Sequence, residues 1–161
     1  MNYSIAIPSH KRSDIIKDKV LKLLEKHSIN KEQIYIFVEE KEIEEYKNKL
    51  PEYQIVKGGE GIAGQRIAIS NYFEQNHFIV SIDDDVSDIL DHSKSIISLD
   101  IFIKDAFYLL IDNDMTLAGV YPVNNEFFTK DTITTDLRFC IGQFKIFINK
   151  KQLENRDYEL L

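Results

Sequence analysis

A short apolar run that stops at three consecutive carboxylates constrains the fold of this chain more than any other feature. Residues 78–82 are Phe-Ile-Val-Ser-Ile, and Asp83, Asp84 and Asp85 follow directly. β-Branched and aromatic residues in such a run are typical of a strand that is covered on both faces. The stretch therefore predicts a buried strand whose carboxyl end carries three acids.

The residues alone leave two interpretations of this triple aspartate open. Adjacent carboxylates repel one another, and a divalent cation such as Mg²⁺ or Mn²⁺, which prefers oxygen ligands, would relieve that repulsion. Open α/β sheets bind their ligands outside the carboxyl ends of the strands, where these acids would lie. The alternative is a solvated acidic turn in which Asp85 or Ser87 caps the start of a helix. Taken alone, the stretch favours neither.

The first half of the chain alternates between short apolar runs and helical patterns. Strands are predicted at residues 3–7, 33–38 and 53–56, with one helical segment starting at Ser13 and an acidic one that ends before Pro51. Repeated strand–helix units indicate parallel strands with right-handed crossovers. We therefore expect the α/β class, with a mostly parallel central sheet that is flanked by helices.

A glycine-rich segment precedes the strand of the triple aspartate. Residues 57–66, Lys-Gly-Gly-Glu-Gly-Ile-Ala-Gly-Gln-Arg, contain four of the six glycines and lead into a predicted helix. Clustered glycines let the backbone approach a ligand closely or adopt positive φ. Arg66 would lie about one turn into the helix, within reach of a phosphate or of the acids at the strand ends. The alternative is a flexible turn with a surface arginine, and the segment is not a P-loop because no Gly-Lys-Ser/Thr follows.

An amphipathic helix is the clearest element of the second half. Residues 99–112 have apolar side chains at helical spacing, and we expect these to face the core. Further strands are predicted at residues 117–121 and 139–148, and the segment after residue 150 predicts the start of a helix. The side chains expected on the buried stripe of the amphipathic helix are Ile101, Phe102, Ala106, Leu109 and Leu110.

Composition restricts the function classes. The 161 residues are enough for one compact domain and leave little room for two. The net charge of −7 argues against a strong nonspecific grip on nucleic acid, although a few local cations and a metal can hold a phosphate-bearing ligand. Cys140 is the single cysteine and suits a reducing compartment. Because neither a signal sequence nor a membrane-spanning run is visible, we expect a cytoplasmic protein with no membrane partner.

Other catalytic or metal-binding motifs are not evident. The chain has no nucleophile elbow to support a serine hydrolase. A structural zinc site is not expected from one cysteine and from histidines that lack the usual ligand spacing. These histidines are His10, His27, His77 and His92.

Several of these features occur in the order seen in glycosyltransferases of the GT-A fold, especially the family-2-like enzymes, which the chain resembles over nearly its whole length. Residues 8–12, Pro-Ser-His-Lys-Arg, follow the first strand, acids follow the second, and the glycine-rich segment with Arg66 precedes the fourth. Residues 83–85 look like an Asp-x-Asp motif, and Asp157 with Glu159 looks like the acidic motif that supplies a general base.

A narrower resemblance points to a subgroup. Residues 61–66, 81–85 and 119–122 are similar to the phage glycosyltransferase domains that are associated with TET/JBP-type DNA-base hydroxylases. This resemblance implies a phage or viral protein that acts in the host cytoplasm. It also implies a modified DNA base as one acceptor, for which the acidic net charge offers no independent support.

The resemblance implies a role for each matching residue. Pro8, Ser9 and Arg12 would line the base and ribose pocket. Glu39 would contact the nucleobase, and Arg66 would contact the nucleotide. Asp83 would face the ribose, and Asp85 would ligate the Mn²⁺ or Mg²⁺ ion that bridges the diphosphate. Asp157 would deprotonate the acceptor hydroxyl.

The resemblance implies an enzyme that transfers a sugar from a nucleoside-diphosphate sugar to a hydroxyl acceptor. The reaction would depend on a metal ion and would invert the anomeric centre, and a UDP-sugar is the favoured donor. Two features depart from the family. Glu39 and Glu40 run on into Lys41 and Glu42 where family members have Gly-Ser, and the part that normally completes the acceptor site is very short. We therefore expect residues 1–161 to be a single GT-A-like domain that is truncated at its C-terminus. The sequence indicates neither the sugar nor an oligomeric state.

Two alternatives remain. A nucleotidyltransferase would share a related α/β core and a metal-bound nucleotide, but such proteins usually place the glycine-rich loop directly after the first strand, where this chain has Pro-Ser-His-Lys-Arg. The other alternative is a degenerate, non-catalytic module that binds a nucleotide sugar, as the short C-terminal part suggests.

Overall fold

One six-stranded sheet organises the protein. The computed structural model describes residues 1–90, 98–120, 133–135 and 143–151. The strands are β1 (Ser4–Pro8), β2 (Ile34–Val38), β3 (Gln54–Lys57), β4 (Phe78–Ile82), β5 (Leu117–Gly119) and β6 (Phe144–Ile148). The first four strands begin and end within one residue of the positions that the apolar runs predict.

The strand order is β3-β2-β1-β4-β6-β5. The pairs β1–β2, β2–β3 and β1–β4 are parallel, whereas β4–β6 and β6–β5 are antiparallel. A parallel strand needs a crossover connection, and helical segments supply it after β1, β2 and β3. The predicted α/β class, with a mostly parallel central sheet flanked by helices, is confirmed.

The helices differ in length and regularity. The first helical segment contains a π-helical turn at Lys17–Leu21, and a 3₁₀ turn at Glu40–Glu42 leads into the third helix. None of the described helices is long and apolar enough to cross a membrane. The α-helices are α1 (Ser13–Ile16), α2 (Lys22–Lys26), α3 (Ile43–Lys49), α4 (Gly61–Tyr72) and α5 (Leu99–Asp112).

Both faces of the sheet are covered, which explains the continuous apolar runs of the strands. Along β1, Ile5 and Ile7 belong to a large core with side chains from α2, α3 and α5. Ala6 points to the opposite face, where Ile69 of α4 and the adjacent Phe73 form a smaller core. Side chains of a strand alternate between faces, so each central strand serves both cores.

The buried face of α5 differs from the predicted one. Phe102, Ala106 and Leu110 do pack against the core, but Ile101 is 57% exposed and Leu109 is 41% exposed. The predicted stripe was wrong at these two positions because α5 is apolar on more than one side, so spacing alone did not identify the inward face. The fully buried side chains of α5 are Leu99, Ile103 and Phe107.

Some sequence predictions concern residues outside the described ranges. They include residue 121 of the strand predicted at 117–121, residues 139–142 of the strand predicted at 139–148, and the helix predicted after residue 150. Within the described part, the last strand begins at Phe144.

Candidate functional site

The strand order creates a crevice at one edge of the sheet. From β1 the chain builds outward to β2 and β3 and then returns to the other side of β1 as β4. The order reverses between β1 and β4, and open α/β sheets bind ligands at such a point, outside the carboxyl ends of the strands. Residues 9–12 follow β1 and residues 83–85 follow β4, so both segments meet at this crevice.

Asp84 is the centre of the hydrogen bonds in the crevice. Its side chain is buried, and its Oδ2 accepts a hydrogen bond of 2.6 Å from Ser9 Oγ. Its Oδ1 accepts one of 3.0 Å from Arg12 Nη1. A buried carboxylate needs such donors because an unpaired buried charge is costly. Asp84 therefore links the loop after β1 to the loop after β4.

Tyr46 of α3 extends this network. Its hydroxyl accepts a hydrogen bond of 3.0 Å from the backbone N–H of Arg12 and lies 2.8 Å from Ser9 Oγ. Because Ser9 donates its only hydroxyl hydrogen to Asp84, the hydrogen between Ser9 and Tyr46 comes from Tyr46. The chain of donors thus runs from Arg12 N–H through Tyr46 and Ser9 to Asp84.

Asp85 is the accessible member of the triple aspartate. Its side chain is 44% exposed, and its Oδ2 lies 3.2 Å from Arg12 Nη1. Arg12 thereby bridges Asp84 and Asp85 with a single guanidinium nitrogen. The single positive charge of Arg12 offsets only part of the negative charge of these two carboxylates.

Asp83 is the third member of the triple aspartate, and its surroundings shift its pKa. Burial raises its pKa above the usual value, and the negative charges of Asp85 and Asp84 act in the same direction. The positive charges of Arg66 and Lys145 oppose this shift, so both cations lie on the Asp83 side of the crevice.

The glycine-rich segment packs tightly onto the start of α4. A Cβ on Gly59 would lie 2.3 Å from the carbonyl oxygen of Gly64, and a Cβ on Gly58 would lie 2.0 Å from Gln65 Oε1. Gly61 has φ of +65°, a conformation that residues with a side chain rarely adopt. The glycines are therefore required by close backbone packing and by one left-handed residue.

A groove of about 490 Å³ lies beside this segment, between the ends of β2 and β3. Glu39, directly after β2, lines it, and the side chain of Glu39 is 16% exposed. Lys41 Nζ lies 2.5 Å from Glu39 Oε2, and this hydrogen bond is the main reason why the pKa of Glu39 is lowered. The other lining residues are Glu40, Lys41, Lys57, Gly58, Gly59 and Glu60.

Glu39 also belongs to a cluster that the sequence did not reveal. His10 Nδ1 lies 3.3 Å from Glu39 Oε1 and 2.9 Å from Glu42 Oε1. The three residues follow two neighbouring parallel strands, so they meet in space although they are far apart along the chain. Histidine spacing alone carries no signal for such a cluster.

The structure brings most of the predicted site residues to this edge of the sheet. Pro8 ends β1, and Ser9, Arg12, Asp83 and Asp85 surround the crevice. Asp84, to which the resemblance assigned no role, accepts hydrogen bonds from both Ser9 and Arg12. Arg66 lies in α4 on the Asp83 side, Glu39 lines the adjacent groove, and Asp157 lies outside the described residues. The ligand-binding and catalytic roles of all eight predicted residues stay predictions.

Comparison with known proteins gives a limited result. No protein-family model matches the chain, and no curated protein matches it. Among solved structures, the chain is similar to the bifunctional IspDF from Campylobacter jejuni, with 14% identity and a TM-score of 0.47 over 92% of this chain and 41% of that chain.

Two further structures are similar over almost the whole chain. One is the apo form of the glycosyltransferase GlyE from Streptococcus pneumoniae, with 12% identity and a TM-score of 0.43 over 99% of this chain and 37% of that one. The other is a 4-diphosphocytidyl-2C-methyl-D-erythritol synthase, with 13% identity and a TM-score of 0.42 over 100% of this chain and 81% of that one. At these scores the likenesses carry no argument about the activity of this chain.

Proposed function

We propose that the chain is a metal-dependent glycosyltransferase that moves a sugar from a nucleoside-diphosphate sugar, with a UDP-sugar as the favoured donor, to a hydroxyl acceptor. The observation that carries this proposal is the position of Asp83, Asp84 and Asp85 in the crevice where the strand order reverses. The glycine-rich segment lines the neighbouring groove between the ends of β2 and β3, and the positive charge of Arg66 acts on Asp83, as binding of a phosphate-bearing ligand would require.

The charges of the crevice explain why a cation is part of the proposal. Three adjacent carboxylates would repel a diphosphate, and the guanidinium of Arg12 already pairs with two of them. A divalent ion between the carboxylates and the diphosphate reverses this repulsion. The donor set fits such an ion, because the exposed Asp85 offers a carboxylate oxygen of the kind that Mg²⁺ and Mn²⁺ prefer.

Each residue of the crevice has its own role in the proposed reaction. Asp84 holds Ser9 and Arg12 in place, and these two line the base and ribose side of the pocket together with Pro8. Asp83 would accept a hydrogen bond from the ribose, and Arg66 would contact the nucleotide. The bound cation would stabilise the negative charge that builds up on the leaving diphosphate.

The transfer itself needs one base. The acceptor hydroxyl oxygen attacks the anomeric carbon as the bond from that carbon to the diphosphate breaks, and the hydroxyl proton moves to a carboxylate, for which Asp157 is the candidate. Such a general base typically increases the reaction rate by ~10²–10⁴-fold. Because a single displacement inverts the anomeric centre, a product with retained configuration would contradict this part of the proposal.

The acceptor is proposed only as a hydroxyl group. A hydroxylated DNA base is one candidate, and it follows from the narrower resemblance to phage domains. An assay with a duplex that carries such a base, next to the same duplex with the unmodified base, tests it. Sugar incorporation into the modified duplex and not into the unmodified one supports this acceptor. If neither duplex incorporates sugar, a hydroxylated DNA base is not the acceptor.

The direct test of the activity is a donor panel. The protein is incubated with Mn²⁺ and different nucleotide sugars, and we expect release of the nucleoside diphosphate by transfer or by slow hydrolysis. Asp85→Asn is expected to abolish the release, whereas Asp88→Asn, an equal substitution at an exposed acid nearby, leaves it unchanged. Release of pyrophosphate from a nucleoside triphosphate would instead indicate a nucleotidyltransferase, and binding without turnover a non-catalytic module.

A further inference from the structure

A second cluster of ligand-type side chains lies beside the crevice, at the carboxyl ends of β1 and β2. We propose that His10, Glu39 and Glu42 bind a divalent transition-metal ion such as Zn²⁺, independently of any nucleotide. One ligand atom from each residue lies within 4.8 Å of the others.

The distances within the cluster suit a common ion. His10 Nδ1 lies 2.9 Å from Glu42 Oε1 and 3.3 Å from Glu39 Oε1. A tetrahedral zinc site with bonds of about 2.0–2.1 Å places its ligand atoms about 3.3 Å apart. The two distances from His10 are therefore near the spacing that zinc imposes, and the two glutamate oxygens lie within 4.8 Å of each other.

Glu42 supplies independent evidence that a ligand is missing from this cluster. Its side chain is 6% exposed, and its Oε2 accepts a hydrogen bond of 3.0 Å from the backbone N–H of Lys11. Its Oε1 has no hydrogen-bond partner within the described part of the chain. The nearby His10 Nδ1 lies at ion-pair distance but does not meet hydrogen-bond geometry. A buried carboxylate oxygen without a donor is unfavourable, and a cation would satisfy it.

The ligand types favour a transition metal over Mg²⁺ or Ca²⁺. Imidazole nitrogen suits zinc and its neighbours, whereas Mg²⁺ and Ca²⁺ prefer oxygen ligands only. Three protein ligands leave one position for water or a further ligand. His10 is 49% exposed, so the ion can enter from solvent.

The remaining contacts of the cluster keep its carboxylates ready to bind. Lys41 pairs with Oε2 of Glu39, which leaves Oε1 directed towards His10. The Lys11 N–H fixes the orientation of Glu42 from the opposite oxygen. Such outer contacts of metal ligands typically hold the ligand in place and tune its affinity.

This metal site differs from the cation proposed at Asp85. It uses the loops after β1 and β2, whereas the triple aspartate follows β4. It also competes with the role that the resemblance gives to Glu39, because a carboxylate oxygen that binds a metal no longer contacts a nucleobase. The site does not depend on the proposed transferase activity.

Calorimetric titration of the metal-free full chain with Zn²⁺ alone tests the site, and Co²⁺ absorption reports the coordination. We expect one saturable site in the wild type. His10→Gln and Glu42→Gln are each expected to weaken binding by at least the roughly 10–100-fold that loss of an outer partner costs. His27→Gln and Asp85→Asn are matched controls at a remote histidine and at the other acidic cluster, and both are expected to bind as the wild type does.

Because His10 is on an exposed loop, we expect the His10→Gln variant to keep the fold. A melting temperature without metal equal to that of the wild type verifies this. Absence of saturable Zn²⁺ binding to the wild type would overturn the site, because His10 would then only bridge two glutamates. Equal binding by His10→Gln and Glu42→Gln would overturn it as well. Loss of binding in Asp85→Asn with retention in His10→Gln would assign the ion to the triple aspartate instead.

Discussion

At the scale of single residues, Asp84 holds the candidate site together. Its two oxygens accept hydrogen bonds from Ser9 and Arg12, and Tyr46 supports both donors. Asp85 contacts the same arginine but is half exposed. The two neighbouring aspartates therefore differ physically: Asp84 is buried and links the two loops, whereas Asp85 is accessible from solvent.

Asp84→Ala is expected to lower the free energy of unfolding by about 2–3 kcal/mol, because it removes the buried acceptor of Ser9 and the nearer of the two carboxylates that Arg12 contacts. Asp85→Ala removes an exposed ion pair and is expected to cost under about 1 kcal/mol. Urea unfolding of both variants measures the difference. Equal losses would show that Asp84 is not the structural member of the pair.

His77 predicts a pH dependence of stability. It contacts Ser4 and stacks on Phe73, and burial lowers its pKa below the usual value of 6.5. Between the lowered pKa and pH 6.5, the folded state therefore binds fewer protons than the unfolded state. The free energy of unfolding rises with pH through that window, and this contribution to stability is lost as the pH falls below 6.5. The total effect is well under about 1 kcal/mol because the ring is only partly buried.

His77→Gln is expected to flatten this part of the stability profile, measured by urea unfolding between about pH 5 and pH 7.5. His27→Gln is the control and is expected to keep the slope of the wild type. An unchanged slope in His77→Gln would mean that another group titrates in this range.

The sequence indicated some members of the site and missed others for a physical reason. Asp83 and Asp85 stood out because acids at the end of an apolar run conflict with burial. Asp84 could not be distinguished from them, because its partners Ser9 and Arg12 come from a distant segment. The cluster of His10, Glu39 and Glu42 was missed for the same reason, since only the pairing of β1 with β2 brings it together.

At the scale of secondary-structure elements, the glycine-rich segment and α4 fit closely. The backbone of Gly59 lies directly against that of Gly64, in the first turn of the helix. This contact fixes how the segment lies against the start of α4, because backbone atoms cannot move aside as a flexible side chain can. The helix that carries Arg66 is thereby positioned against the strand ends.

Gly59→Ala is expected to cost about 1–3 kcal/mol of stability, because its Cβ would overlap the Gly64 carbonyl. Gly61→Asn is the matched variant: no atom lies within 4 Å of an added Cβ, and asparagine tolerates positive φ, so its cost is expected to stay under about 1 kcal/mol. Thermal unfolding compares the two. A Gly59→Ala variant as stable as the wild type would refute the close packing.

The inward face of α5 gives a second test at this scale. Ile103 is fully buried, whereas Ile101 is 57% exposed. Ile103→Ala is expected to cost about 2–5 kcal/mol, and Ile101→Ala to stay within about 0.5 kcal/mol of the wild type. Equal costs in urea unfolding would mean that α5 is rotated relative to the structure.

Elements differ in how well the sequence predicts them. The central strands were predicted closely, because strands buried on both faces produce continuous apolar runs such as residues 78–82. The inward face of α5 was predicted only in part, since Ile101 and Leu109 are as apolar as the buried positions. Tertiary packing decides which apolar stripe of such a helix faces the sheet.

At the scale of the whole molecule, strand order places the candidate site. The return of the chain from β3 to β4, across β1, brings the loop with Ser9 and Arg12 next to the triple aspartate. No local pattern encodes this neighbourhood, although strand–helix alternation predicts the class of fold. Because the net charge is −7, the proposed binding of a phosphate relies on local cations and on the proposed metal ion rather than on a basic surface.

The central claim is that the triple aspartate anchors a nucleotide through a divalent cation, and ligand-dependent thermal unfolding tests it most directly. The melting temperature is measured with UDP and Mn²⁺ together and with each alone, for the wild type, Asp85→Ala and the control Asp88→Asn. A ligand at 100 times its Kd stabilises the fold by about 2.7 kcal/mol. We predict that UDP and Mn²⁺ together stabilise the wild type and Asp88→Asn by more than the sum of their separate effects, and that Asp85→Ala, folded without ligand, loses this additional shift. An equal shift in Asp85→Ala, or no shift in the wild type, would contradict the claim.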